Sequence, residues 1–236
     1  MCHCSDYHNK ASNYSTSLLE IQEVYTNIEI SEFTNSFVDE NSTLLSDKLR
    51  FDKKNDGRFY ELPHIFFAKK EDTALINKMF TDHLNENWIE STGVRFIWSK
   101  KDLKFKDSDT LYHVLYAIKT KNKNPNKITH KEVESARKTI DPHNGDIGVS
   151  IAFNEKGAEK FQKLTSKCVG GFIAISSYNK VLSAPNIMAP ITGGEIFIDG
   201  DFTEKEAETL IDWINCDTYA ARIGMDKFEK EIEKCE

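Results

Sequence analysis

Cys2, His3, Cys4 and His8 crowd thiols and imidazoles together, a donor group soft enough to hold zinc or copper. Neighbouring donors without C-x-x-C spacing, near a polar chain end, favour the plainer reading of a segment with no metal. With Cys168, Cys216 and Cys235 the cysteines form an odd set and no disulfide-like framework, so reduced thiols are expected. Cys168 and Cys216 fall inside expected elements and read as small buried hydrophobes. His64, His83, His113, His130 and His143 are spread over unrelated elements. Asp82 and His83, consecutive on an expected helix, point about 100° apart and do not form an acid-base pair. Asp199 and Asp201 flank Gly200 ahead of a helix, where carboxylates either hold a cation or complement the helix dipole, and the second is favoured. The sequence has no G-x-S-x-G elbow, H-E-x-x-H helix, phosphate loop or dinucleotide fingerprint. A non-enzymatic chain with no cofactor is expected, with a hydrolase assembled from dispersed residues as the minor alternative.

The residues that remain informative are those that shape elements. Val149, Ile151 and Phe153 alternate as a strand does, and Asn154 then opens a helix with Ala158, Phe161 and Leu164 on one face. An apolar strand over 172–176, a polar reversal at Tyr178-Asn179-Lys180 and a short return limb over 181–183 follow, ended by Pro185, which cannot donate to a ladder. Gly193 and Gly194 mark a bend before a strand at 195–198, although such a pair could also bring backbone amides close to a ligand. Thr203 and Glu206 form a T-x-x-E capping box for a helix over 204–214.

In this order the residues resemble the large extracytoplasmic head domain of the SecD and SecDF protein-export membrane proteins. The resemblance rests on Phe153-Asn154, Gly157-Ala158, Phe161, Leu164-Thr165, Ser183-Ala184-Pro185, Ile191 with Gly193-Gly194, Ile198, Gly200, Phe202-Thr203 and Glu206-Ala207. It extends upstream to Ile128-Thr129 and to 133–136, and thins out outside 128–214. The Asp-Gly usual in the family's central hairpin is Tyr178-Asn179 here. The resemblance implies a domain on the far side of a membrane that contacts emerging unfolded polypeptide, so a polypeptide or protein partner is expected. Gly157, Phe161, Gly193, Gly194, Gly200 and Phe202 would be its structural motif. The loop between Ser183 and Gly194 combines apolar side chains with stiff prolines, which makes Ala184, Pro185, Ile187, Met188, Pro190 and Ile191 the candidate polypeptide contact. The same residues could instead cover the open end of the sheet.

Composition sets the outer bounds. With 236 residues, 39% apolar and 29% charged, the chain can bury a sizeable core. A net charge of −7 argues against a nucleic-acid surface, which needs a clustered positive field, and the lysines of 119–127 read as a solvated loop. No apolar run approaches the ~20 residues that span a bilayer, so the intramembrane carboxylates and arginines of the export motor have no place here. As written, the chain is expected to be soluble; if its natural start lies upstream, Cys2 is placed to carry a lipid. The envelope is the location the resemblance implies, and the cytoplasm the one a complete chain implies. The division expected is a flexible tether over 1–17, an N-terminal α+β segment over 18–120, the head-like domain over 121–216 and a polar helix or tail over 217–236. In the first segment, residues 59–67 read as a strand interrupted by Pro63, Asp72 caps a helix presenting Ala74, Leu75, Met79, Leu84 and Trp88, and strands follow at 94–98 and 112–119. Thr129 and Glu132 form a second T-x-x-E pair and are expected to open a helix. Because the hairpin requires antiparallel pairing, the fold class is α+β, a mixed or antiparallel sheet with helices packed on one face. A partner-specific interaction protein reusing this fold is the alternative function.

Overall fold

The computed structural model describes Cys4 and residues 19–45, 48–52, 61–83, 92–106, 108–120, 126–142, 144–199 and 202–232. The first elements are β1 (Leu19–Tyr25), α1 (Ser31–Glu40), α2 (Ser42–Leu45), β2 (Leu49–Arg50), β3 (His64–Lys69) and, after a 3-10 turn, α3 (Thr73–His83). β4 (Val94–Trp98), β5 (Leu103–Lys104), β6 (Leu111–Lys119), β7 (Ile128–Thr129), β8 (Val133–Ile140) and β9 (Ile147–Phe153) follow. α4 (Glu155–Lys167), β10 (Ile173–Ser177), β11 (Lys180–Ser183), β12 (Glu195–Asp199), α5 (Glu204–Ile223) and α6 (Met225–Ile232) complete the order. The named strand pairs are all antiparallel, and the class is α+β as expected.

The larger sheet is built around β6, the longest strand. β3 and β1 lie along one side of it, β4 and β5 along the other. From β1 the ladder continues through β10 to β11, and a bridge from Val181 to Ser99 with a Lys100 N–H bond of 2.8 Å to the Val181 carbonyl brings β11 back to the end of β4. The strands therefore curl into a ring, which leaves few unpaired edges. Val24, Ile97, Ile118, Ala174 and Val181 fill its interior. β1 sits between residues on both sides of position 120, so hydrogen bonding runs across the expected segment boundary.

One face of this sheet carries an aromatic core. Phe37 stacks on Phe80 at 4.3 Å, and Phe80 on Phe96 at 5.0 Å, locking α1 and α3 onto β4. The buried face of α3 is Ile76, Met79 and Phe80, whereas Leu75 is exposed, which corrects the face expected from Leu75. The stack decides the rotation of the helix, because Phe80 and Ile76, four residues apart, must both point at it. Leu84 and Trp88 lie outside the described residues.

The second sheet, β12-β9-β8, faces α4, α5 and the β1-β10 pair across a core containing Leu19, Ile21, Val149, Ile151, Phe161, Ile175, Ile196 and Leu210. Asn154 caps α4 by accepting the Gly157 N–H at 2.9 Å. At Gly157 the helix runs so close to the Glu132 carbonyl that a side chain would overlap it. Thr129 and Glu132 do make the expected capping box, but it closes a single 3-10 turn and β8 begins at Val133. The expected helix is lost because β8 finds its hydrogen bonds on β9, from Val133 opposite Phe153 to Ile140 opposite Ile147 with a bulge between Val133 and Ser135. α5 runs past the expected end at 214, since Cys216 and Ala220 continue its buried face; Gly224, at φ +86°, stops it.

Candidate functional site

The loop from Ser183 to Gly194 is pinned at Pro185 and Ile187 by backbone bonds to residues 170–173. The Ile187 N–H donates to the Gly171 carbonyl at 2.9 Å, and Gly170 N–H to the Ile187 carbonyl at 2.8 Å. These bonds drive Ile187 into the core, where it is buried, and leave Met188 beside Val169 at the surface. Met188 is 83% exposed and Val169 49%. Ala184 leans on the interior of the strand ring and Ile191 on the second core, both half-buried, and the Ile191 N–H is held by the Thr165 hydroxyl at 3.0 Å. Pro185 is half-buried and Pro190 exposed. The loop therefore splits into a covering part (Ala184, Ile187, Ile191) and a surface part (Met188, Pro190). A concavity of about 180 Å³ opens next to it, lined by Val24, Lys167, Cys168, Val169 and Phe172 among others.

The motif residues serve this geometry. Phe161 is fully buried against Phe153, and Phe202 is half-buried on the same core. Gly194, at φ +68°, makes the sharp turn into β12, and its carbonyl accepts the Phe153 N–H at 2.8 Å. Gly193 faces open space. Gly200 lies outside the described residues, as does Asp201. Tyr178 and Asn179, at φ +49° and +57°, form the two-residue reversal between β10 and β11 in place of Asp-Gly.

The described histidines do not converge. His64 meets Asp52 at 3.1 Å on the face of β3 that carries Phe67, and burial, opposed by that aspartate, lowers its pKa from the usual 6.5. His113 points to the other face of the sheet, with Nδ1 3.0 Å from the Ser99 carbonyl oxygen. Its Nε2 lies 2.7 Å from Asp102, off the line of a good hydrogen bond. His130 contacts Asp217 between the 3-10 turn and α5. The His83 side chain and His143 lie outside the described residues. No group of metal-ligating side chains forms among the described residues.

The cysteines bring a correction. Cys4 and Cys216 form a disulfide, joining the segment expected as a tether to α5, with both residues buried. Reduced thiols were expected because a pairing across a sequence separation of 212 leaves no spacing signature. The bond also removes Cys4 from the donor set with His3 and His8. Cys168 is free and buried, and burial pushes its thiol up to about 11.

A second feature was not anticipated from the sequence. Asn215 of α5 reaches the outer edge of β8, where its Oδ1 accepts the Ala136 N–H at 2.7 Å and its Nδ2 donates to the Ala136 carbonyl at 2.9 Å. Arg222 donates to the Glu134 carbonyl at 2.6 Å. α5 thus occupies one edge of the small sheet, as a further strand would.

Two antiparallel sheets packed across a shared core, with a capped helix on each side of β12 in the chain and a β10-β11 hairpin, define an antiparallel α+β domain. Residues 114–216 match the family model described as SecDF, P1 head subdomain, and this segment of the chain is similar to that domain. The protein translocase subunit SecD of Acidaminococcus fermentans is 43% identical over 83 residues, 35% of this chain and 20% of that protein. SecD of Thermobaculum terrenum is 33% identical over 117 residues, 44% of this chain and 22% of that protein. The chain thus spans about a fifth of the length of these relatives. Among solved structures, SecDF in its super-membrane-facing form aligns with a TM-score of 0.40 at 20% identity, over 84% of this chain and 19% of that one. No helix among the described residues is long and apolar enough to cross a membrane.

Proposed function

We propose that this chain is a non-enzymatic polypeptide-binding module that serves protein export, contacting its client through the surface part of the Ser183–Gly194 loop. One observation carries the reading: on a domain similar to the SecD/SecDF head, a strap pinned by backbone bonds presents Met188 beside Val169 at the surface. A flexible thioether adapts to many side chains, as a binder of varied sequences requires. The Cys4–Cys216 bond supports a compartment in which thiols oxidise, and with it an envelope location.

The test is titration of the chain with a fluorescein-labelled, reduced and carboxymethylated polypeptide. Met188→Glu should weaken binding about tenfold, a loss of about 1.4 kcal/mol, without changing the melting temperature. Equal affinity for both proteins would refute the loop as contact. A second reading, a partner-specific interaction protein, draws on the aromatic core of α1, α3 and β4, which lies outside the family match. Copurification of one fixed partner through that face would favour it.

A further inference from the structure

β1 pairs with β10 from Leu19 to Glu23 and with β6 at Val24 and Tyr25, and the cleft of about 180 Å³ beside the Met188 loop opens at this change of partner. Val24, Cys168, Val169 and Phe172 supply its apolar lining. The bonds that pull Ile187 inward also shape this wall, because they run to Gly170 and Gly171 within the same segment. A volume below the ~300 Å³ of ordinary small-molecule pockets suits one inserted side chain rather than a free ligand.

The charged residues along the cleft are Glu23, Glu29, Glu61, Lys119 and Lys167. All but one of them are matched. Lys167 Nζ lies 2.6 Å from Glu23, and Lys119 Nζ lies 2.7 Å from Glu29, whose other oxygen accepts the Thr26 N–H at 2.7 Å. Glu61 makes no hydrogen bond or ion pair among the described residues. Its place is nevertheless fixed by the next residue: the Leu62 N–H donates to Asn27 Oδ1 and the Leu62 carbonyl accepts the Asn27 N–H, both at 3.0 Å. The cleft thus combines apolar walls with one uncompensated carboxylate.

We infer that the cleft is a subsite for a basic side chain of the bound polypeptide, a Lys or Arg whose alkyl stem lies on Val24, Val169 and Phe172 and whose cation pairs with Glu61. An acidic side chain would bring a second unmatched carboxylate to Glu61, since Lys119 and Lys167 already hold their own partners. An apolar side chain would fill the walls and leave Glu61 unmatched. Lys and Arg meet both demands, because each carries an apolar stem and a charged head. This inference rests on the polypeptide-binding reading and gives an otherwise adaptable surface one position of preference. Val169 belongs both to the cleft and to the surface beside Met188, so the two contacts are continuous.

The probe is the acetylated and amidated peptide Ser-Leu-Thr-Val-Lys-Leu-Thr-Val-Ser, compared with the same peptide carrying norleucine for Lys, which keeps the stem and lacks the cation. Each is used to displace the fluorescein-labelled, carboxymethylated polypeptide from the full chain. The Lys peptide should bind about threefold more tightly than the norleucine peptide, the scale of one exposed ion pair. Glu61→Gln should abolish that difference without changing the melting temperature, because Glu61 holds no bond within the fold. Glu71→Gln, an equal change of net charge on the 3-10 turn after β3, should preserve it. A difference that survives Glu61→Gln, or that disappears in Glu71→Gln, would overturn the inference. If the polypeptide binds and the two peptides displace it equally or not at all, the subsite fails while the proposed function stands; if neither polypeptide nor peptide binds, both fail.

Discussion

Asn215 shows how much one side chain holds in place: its carboxamide satisfies both backbone groups of Ala136. Asn215→Leu leaves them unpaired, and a destabilisation of about 2 kcal/mol is expected in urea titration. Asn215→Asp should cost at least as much, because a carboxylate accepts the N–H but repels the carbonyl. Gly157 is equally strict: Gly157→Ala should cost about 1–3 kcal/mol by the same titration, since the added methyl meets the Glu132 carbonyl across a packed helix-turn contact. At this scale the sequence is uneven as a guide. Phe161 is legible from its helical spacing with Ala158 and Leu164, whereas Gly157 is marked by the resemblance alone. Within the loop, composition could not separate Ile187 from Met188: the difference comes from pairing with Gly170 and Gly171, which is set by a distant segment. Asn215 gave no signal at all, since an asparagine on a helix reads as a solvated residue until the strand beside it is known.

Elements explain the rest of that unevenness. From residue 147 onward, caps, alternation and turns agree with the observed order, because each boundary there is fixed by a local bond such as Asn154 to Gly157 or Thr203 to Glu206. Thr129 and Glu132 carry the same local signature, yet a strand follows, because the partner β9 outbids the helix for the backbone from Val133 onward. α3 is placed correctly and rotated wrongly for a similar reason, the aromatic stack being tertiary. The β10-β11 hairpin gives a test of a local element. Asn179 at φ +57° tolerates the left-handed region, and Asn179→Val should lower stability by about 1–2 kcal/mol in the same titration. An unchanged midpoint would show that the turn is not constrained as described.

The behaviour of the molecule as a unit depends on ties between segments far apart in sequence. Glu20 of β1 is buried, which opposes its ionisation, but hydrogen bonds and charge from Lys127 and Arg95 outweigh that and lower its pKa from the usual 4.5. Glu132 is lowered likewise, Lys160 and Thr129 outweighing burial. Both carboxyls bind protons less readily folded than unfolded. Their contribution is therefore complete above pH 4.5 and lost as pH falls through the lower folded values. The urea midpoint should decline below that pH, and Glu20→Gln should flatten the decline. Reducing Cys4–Cys216 releases a loop spanning nearly the entire chain and should cost about 2–5 kcal/mol, read as a lower melting temperature in dithiothreitol. The measurement that bears most directly on the central claim is the affinity of this chain for one labelled polypeptide in two states, natively folded and permanently unfolded by carboxymethylation. The account predicts saturable binding to the unfolded form and none to the folded one. Equal binding to both forms, or to neither, would contradict it.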